Sequence, residues 1–241
     1  MSQFVSTGVD GLDTILGGGI TPQSTVLVSG TPGTGKSLLG IQYLYAGVSE
    51  SDERGVYVSF EEDAEDVREA AESIGFEAFG EFVDDGRIVI LDKRDLLKDD
   101  DLSATIDRIL ETISDQDFDR LVLDSLSMFK LFFADEREER TYLLKFSDIL
   151  KESGLTSLLI HEQATTFPDA EIGLENFLTD GNVHLIQTPT GSGVSRYLWV
   201  AKMRKQDIDT DIYPLEIDEG GLVVHDQAGG FTMVDHSGTP F

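Results

Sequence analysis

Short apolar runs alternate with segments of helical period along most of the chain. Residues 25–28, 55–60, 87–91, 120–124 and 156–160 are rich in Val, Ile and Leu and almost uninterrupted, the pattern of strands buried on both faces. Between them, residues 37–48 put Leu38, Ile41, Leu44, Tyr45 and Val48 on one helical face. Residues 64–74 align Ala64, Val67, Ala71 and Ile74 behind Asp63, a side chain suited to an N-cap, before Gly75 ends the helix. Leu102, Ile106, Ile109, Leu110 and Ile113 predict a further amphipathic helix, and Tyr142, Leu143, Phe146, Ile149 and Leu150 another over 138–151. This alternation predicts an α/β fold: a mostly parallel central sheet flanked by helices.

After residue 161 the pattern changes. Residues 164–180 contain Pro168 and Gly173 with weak periodicity, so a long loop with a short helix is expected. Residues 182–187, 195–203 and 211–217 read as strands, the last two antiparallel at the sheet edge, and Gly220-Gly221 turns the chain into Leu222-Val223-Val224. The last fifteen or so residues, with Gly229-Gly230 and Gly238, read as weakly held. A chain of 241 residues can bury one sizeable core, so a single domain is expected over 1–241, with its core at about 5–225 and a tail at about 226–241.

Composition adds a constraint on the environment. With 46 acidic and 18 basic residues the formal net charge is −28. Such self-repulsion disfavours a compact state unless salt shortens the screening length, to about 3 Å at molar concentration, so a halophilic source is expected. The acidic runs at 49–53, 98–101 and 134–139 lie between structured segments and read as hydrated surface. Cysteine is absent, which excludes disulfides, thiolate metal sites and a cysteine nucleophile. The four histidines show no ligand spacing. No stretch reaches membrane-span length and the start lacks the regions of a signal peptide, so a cytoplasmic location is expected.

The first strand-to-helix junction carries the most chemistry. Gly30-Thr31-Pro32-Gly33-Thr34-Gly35-Lys36-Ser37 fits the phosphate-loop pattern in full, directly after Thr25-Val26-Leu27-Val28 and ahead of Leu38 and the first helix. Glycines allow a tight loop whose N–H groups turn toward a polyphosphate, and Lys36 adds a mobile positive charge for the β- and γ-phosphates. Ser37 is placed to ligate Mg²⁺, and the helix start offers free N–H groups and the positive end of its dipole.

Hydrolysis needs two more groups, a carboxylate that organises the metal and one that polarises the attacking water. Asp124 closes the strand Leu121-Val122-Leu123, and ligands of open parallel sheets collect outside the carboxyl ends of strands. It is the expected metal residue together with Ser37. Glu61 and Glu62 follow the second strand and are the candidate bases, joining Lys36 in the expected catalytic set. Two adjacent carboxylates at a strand end cannot both face one site, so one of them is expected to act on water.

In this order the residues resemble the KaiC-type branch of the RecA/RadA ATPase superfamily. The similar features are Ser6-Thr7-Gly8-Val9-Asp10-Gly11-Leu12-Asp13 with Gly17-Gly18-Gly19, the phosphate loop, Phe60-Glu61-Glu62, Leu123-Asp124-Ser125, Thr179-Asp180, and Lys202-Met203-Arg204 near Tyr213-Pro214. KaiC carries two such units in tandem, and this chain resembles one half of it. The resemblance implies a RecA-like P-loop fold, ATP and Mg²⁺ as ligands, and Glu61 as first choice for the base with Glu62 beside it. It also implies that Lys202 and Arg204 bind nucleotide across an interface, reaching the γ-phosphate of a neighbouring subunit in a homo-oligomeric, hexameric ring.

Two departures from the family pattern matter. Asn176-Phe177 stand where KaiC's kinase half has a Ser-Thr phosphoacceptor pair, so an ATPase without autokinase activity at that place is expected. Lys205-Gln206 follow the basic pair where the family continues with glycine, which bears on the interface contact. Two other classes stay open: a nucleotide-gated interaction module with little turnover, and a RecA/RadA-like DNA-binding accessory protein. Against the second, residues 161–187 contain no Lys or Arg, where a RecA-type core presents its DNA-contacting loops.

Overall fold

The computed structural model describes residues 4–96, 102–130, 136–165, 173–191 and 193–228. The strands among them are β1 (Thr25–Gly30), β2 (Gly55–Ser59), β3 (Ile88–Leu91), β4 (Arg120–Asp124), β5 (Thr156–Glu162), β6 (Gly181–Thr190), β7 (Gly193–Met203), β8 (Ile212–Asp218) and β9 (Gly221–Val224). They form one sheet in the order β3-β2-β4-β5-β1-β6-β7-β8-β9. The first six in that spatial order are parallel; β7, β8 and β9 each run antiparallel to the strand before. The helices are α1 (Leu12–Ile15), α2 (Lys36–Ser51), α3 (Ala64–Ser73), α4 (Phe79–Asp84), α5 (Lys93–Leu96), α6 (Leu102–Asp115), α7 (Leu126–Lys130), α8 (Glu136–Glu152) and α9 (Leu174–Leu178).

Alternation along the parallel strands divides the core between two faces. Val26, Val28, Tyr57, Val122, Leu158 and Ile160 pack on the side of α2, α3 and α4. Leu27, Val56, Val58, Leu121, Leu123 and Leu159 pack on the side of α6 and α8. Both faces are covered, which is why these strands read as unbroken apolar runs. The expected antiparallel pairing of β7 with β8 is present. β5 runs two residues beyond its apolar run, through His161 and Glu162, and β6 begins at Gly181 and ends at Thr190. The expected loop at 164–180 contains α9, while 166–172 lie outside the described residues, as do 98–101, 134–135 and the tail beyond 228. No helix among the described residues is long and apolar enough to cross a membrane.

One irregularity in the β6–β7 ladder re-aims a functional candidate. Asn182 pairs with Lys202, but Val183 pairs with Val200, so Ala201 is an extra residue on β7. A bulge reverses the face taken by the side chains that follow it. Leu198, Val200 and Met203 all face the α2 core, and Lys202 therefore turns to the opposite side, toward α9.

His184 on β6 is level with Ser29, one residue before the phosphate loop, with Ser29 Oγ 2.7 Å from its Nδ1 and the ring stacked on Trp199. Burial pulls its pKa from 6.5 down to about 4. The fold favours the neutral ring, so the stability it confers is complete above about pH 6.5 and is lost as pH falls toward 4, on the order of 3 kcal/mol in all. His184→Asn keeps a polar atom near the Nδ1 position and does not titrate. Urea unfolding at pH 7 and pH 4 is expected to show wild type losing roughly that much relative to the variant; an unchanged difference would refute the assignment.

Candidate active site

The phosphate loop leaves β1 at its carboxyl end and re-enters helix at Lys36. Gly35, the N-cap of α2, has φ 103° and lies under β8 and β9, where an added Cβ would stand 3.0 Å from Ile217 Cδ1. Gly30 faces β6 so closely that a Cβ would meet the Leu185 carbonyl oxygen at 2.5 Å. Both positions need glycine, for different reasons.

Strand alternation then brings the metal candidate to the same place. Asp124 follows Val122 by two on β4, so it faces α2 and hydrogen-bonds with Ser37. The Tyr57 hydroxyl on β2 donates to Asp124 Oδ2 at 2.7 Å. Burial raises the Asp124 pKa; the Ser37 and Tyr57 hydrogen bonds oppose that rise and the Glu61 charge adds to it. Burial also raises Tyr57 well above an ordinary phenol, so it stays a donor.

Glu61 and Glu62 follow β2 beside this centre, close enough for both charges to be felt there. β2 ends at Ser59, and the Ser59 hydroxyl accepts from the Glu62 N–H at 2.9 Å and donates to the Glu62 carbonyl at 3.0 Å. The two glutamates therefore sit in a turn, where strand alternation does not separate them. The Ser125 hydroxyl donates to Glu61 Oε1 at 2.8 Å. Much of Glu62 is solvent-accessible, yet partial desolvation, with Asp124, Asp66 and Glu61 nearby, raises its pKa. Asp63 caps α3 as expected, its N–H donating to Asp66.

Lys36 lies among these carboxylates. It is 8% exposed and gives its Nζ to the Thr31 carbonyl at 2.9 Å. Burial lowers its pKa, while Glu162, Asp124 and Glu61, in that order, pull it back up. Glu162, opposite Gly30 at the end of β5, was not singled out in the sequence; the strand-end rule that found Asp124 applies equally to it. Arg196 and Gln187, on the β7–β6 pair, reach the Gly33 and Pro32 carbonyls at 3.3 and 3.5 Å and also flank the loop.

The donor set suits the ligands the motif implies. Thr31 Oγ1 is buried without a hydrogen-bond partner, the Lys36 ammonium is held by a carbonyl, and α2 begins without a side-chain cap. Those are groups a polyphosphate would satisfy. A hydroxyl and a carboxylate, Ser37 with Asp124, are hard oxygen ligands of the kind Mg²⁺ takes.

Lys202 and Arg204 are placed elsewhere. Lys202 is level with Asn182 and hence with Leu27, about 10 Å along the strands from Gly30 and two strands to the side. Its Nζ donates to the carbonyls of Asn176 (2.8 Å) and Thr179 (2.7 Å) around α9. Arg204 donates to the Phe177 carbonyl at 3.1 Å and pairs with Asp180 at 3.5 Å. Lys205 has φ 61°, the backbone that glycine favours, and Gln206 ties the segment to the Gly19 carbonyl at 2.5 Å.

A phosphate loop between β1 and α2, carboxylates at the ends of β2 and β4, and this strand order make the fold that of a RecA-like P-loop ATPase. A family model described as ATPase: KaiC matches residues 5–229, and the chain belongs to that family. The circadian clock oscillator protein KaiC of Synechococcus elongatus is 35% identical over 224 residues, which is 90% of this chain and 43% of that protein. KaiC of Acaryochloris marina is 32% identical over 225 residues, again 90% and 43%. The chain thus spans less than half the length of these relatives. The crystal structure of a KaiC-like protein from Pyrococcus horikoshii superposes with a TM-score of 0.82 at 32% identity, over 93% of this chain and 100% of that one.

Proposed function

We propose that this chain is an Mg²⁺-dependent ATPase that works as a homo-oligomer, each nucleotide site being completed by Lys202 and Arg204 of a neighbouring copy. The observation that carries this reading is the separation within one copy: Lys36, Asp124 and Glu61 share one end of the sheet, while Lys202 and Arg204 point to α9 on the other face. Lys36 and the loop N–H groups hold the phosphates, Glu61 takes a proton from water, and Ser37 with Asp124 hold the metal. Bound Mg²⁺ supplies charge neutralisation on the phosphate oxygens. The supports are family membership, the buried Lys36 and the carboxylates around it.

Lys36→Ala is expected to weaken MgATP binding by roughly a hundredfold or more, because a buried cation aimed at the phosphates is lost. Titration with a fluorescent ATP analogue in molar KCl checks this, and binding within a few-fold of wild type would sink the site. We read the net charge of −28 as adaptation to salt, hence the assay condition. Mass measurement in the same buffer is expected to show MgATP driving assembly into a ring, six copies by analogy with the family resemblance. A monomer at every nucleotide concentration would remove the intersubunit part of the reading.

A further inference from the structure

Glu175 is 3% exposed, carries a charge-bearing group, and has no role in the mechanism above. Burying a carboxylate is costly unless it is held by specific hydrogen bonds. Its Oε1 lies 3.1 Å from Nε2 of His161, itself 8% exposed at the end of β5. Nδ1 of His161 is 3.2 Å from Ser127 Oγ, which in turn accepts the Glu162 N–H at 2.8 Å. A directional chain fits these distances: Glu162 N–H to Ser127, Ser127 O–H to Nδ1, and Nε2–H to Glu175. One end of the chain is Glu162, which lies opposite Gly30 where the phosphate loop begins.

The other end is α9. The Glu175 carbonyl accepts both the N–H (3.2 Å) and the hydroxyl (3.0 Å) of Thr179. The carbonyl of Thr179, with those of Asn176 and Phe177, holds Lys202 and Arg204. The carboxylate also folds over Gly173, where an added Cβ would lie 2.1 Å from Oε1.

We propose that Glu175 is a positioning residue that ties the Lys202–Arg204 pair, through α9, to the His161–Glu162 end of β5 in its own nucleotide site. The cations offered to a neighbour are thereby set by the site of the copy that offers them. This rests on the intersubunit reading above and adds the side chain that regulates it.

The experiment mixes variants in molar KCl before MgATP is added and reads phosphate release. Glu175→Gln alone is expected to lose about tenfold or more in turnover while its own MgATP binding is kept. Mixed with Glu61→Gln copies, whose cation pair is intact, it is expected to regain activity, and mixed with Lys202→Ala copies it is expected to stay inactive. Recovery with Lys202→Ala copies would place the Glu175 defect in its own site and overturn the proposal, as would unchanged turnover of Glu175→Gln. Gly173→Ala, which displaces the carboxylate without removing it, is expected to repeat the pattern and serves if Glu175→Gln does not fold. A mixture of Glu61→Gln with Lys202→Ala is the control. If that pair regains nothing, the intersubunit reading itself fails and this proposal falls with it; if it does, only the Glu175 results decide.

Discussion

Glu61→Gln is expected to cut ATP turnover by about two to four orders of magnitude while leaving MgATP bound, the loss typical of removing a positioned general base. The argument rests on what holds each of the two glutamates. Glu61 is oriented by the Ser125 hydroxyl, and Ser125 adjoins Asp124, so its carboxylate is fixed to the strand that carries the metal candidate. Glu62 has its backbone N–H and carbonyl both taken by Ser59, and partial desolvation, with neighbouring carboxylates, raises its pKa. Glu62→Gln is therefore expected to cost about tenfold or less. A raised pKa makes Glu62 easier to protonate as pH falls, which relieves repulsion at Asp124. Single-turnover phosphate release measured on both variants decides between them. A larger loss in Glu62→Gln would exchange their roles.

The ordering of these residues was readable because strand physics governs it. Buried parallel strands are apolar without interruption, so the runs ending at Val28, Phe60, Asp124 and Ile160 announced themselves, and the carboxyl-end rule then gathered Asp124, Glu61 and the phosphate loop. What could not be read depended on contacts between distant segments. Tyr57 sits in an apolar run and shows its polar role only because β2 lies next to β4. α1, α4, α5 and α7 have four to six residues, less than two turns, so no helical period could develop. The bulge at Ala201 is the sharper case. Simple alternation from Leu198 and Val200 would put Lys202 on the α2 face, and only the ladder shows that the extra residue sends it to α9. Ser127, His161 and Glu175 are far apart in sequence, and no local pattern joins them.

Lys202→Ala and Arg204→Ala are each expected to lower turnover by about a thousandfold, within the range found for a cation supplied to a transferring phosphoryl group from a neighbouring subunit. A purely intramolecular role makes a different prediction. Both side chains hold carbonyls around α9, so if that were all they did, removing either would unseat a short helix and appear as a lower melting temperature. None of these three hydrogen bonds is fully buried. The Arg204 pairs are exposed, where such contacts contribute about 1 kcal/mol or less. A thousandfold change corresponds to about 4 kcal/mol of transition-state stabilisation, well beyond what that contact can supply. Copies must meet before these cations can reach a neighbour's site, so wild-type specific activity is expected to rise with protein concentration as copies assemble. In the two variants it should stay low and flat, with MgATP affinity of each copy unchanged. Wild-type specific activity independent of concentration, together with variants that lose only thermal stability, would confine Lys202 and Arg204 to holding α9.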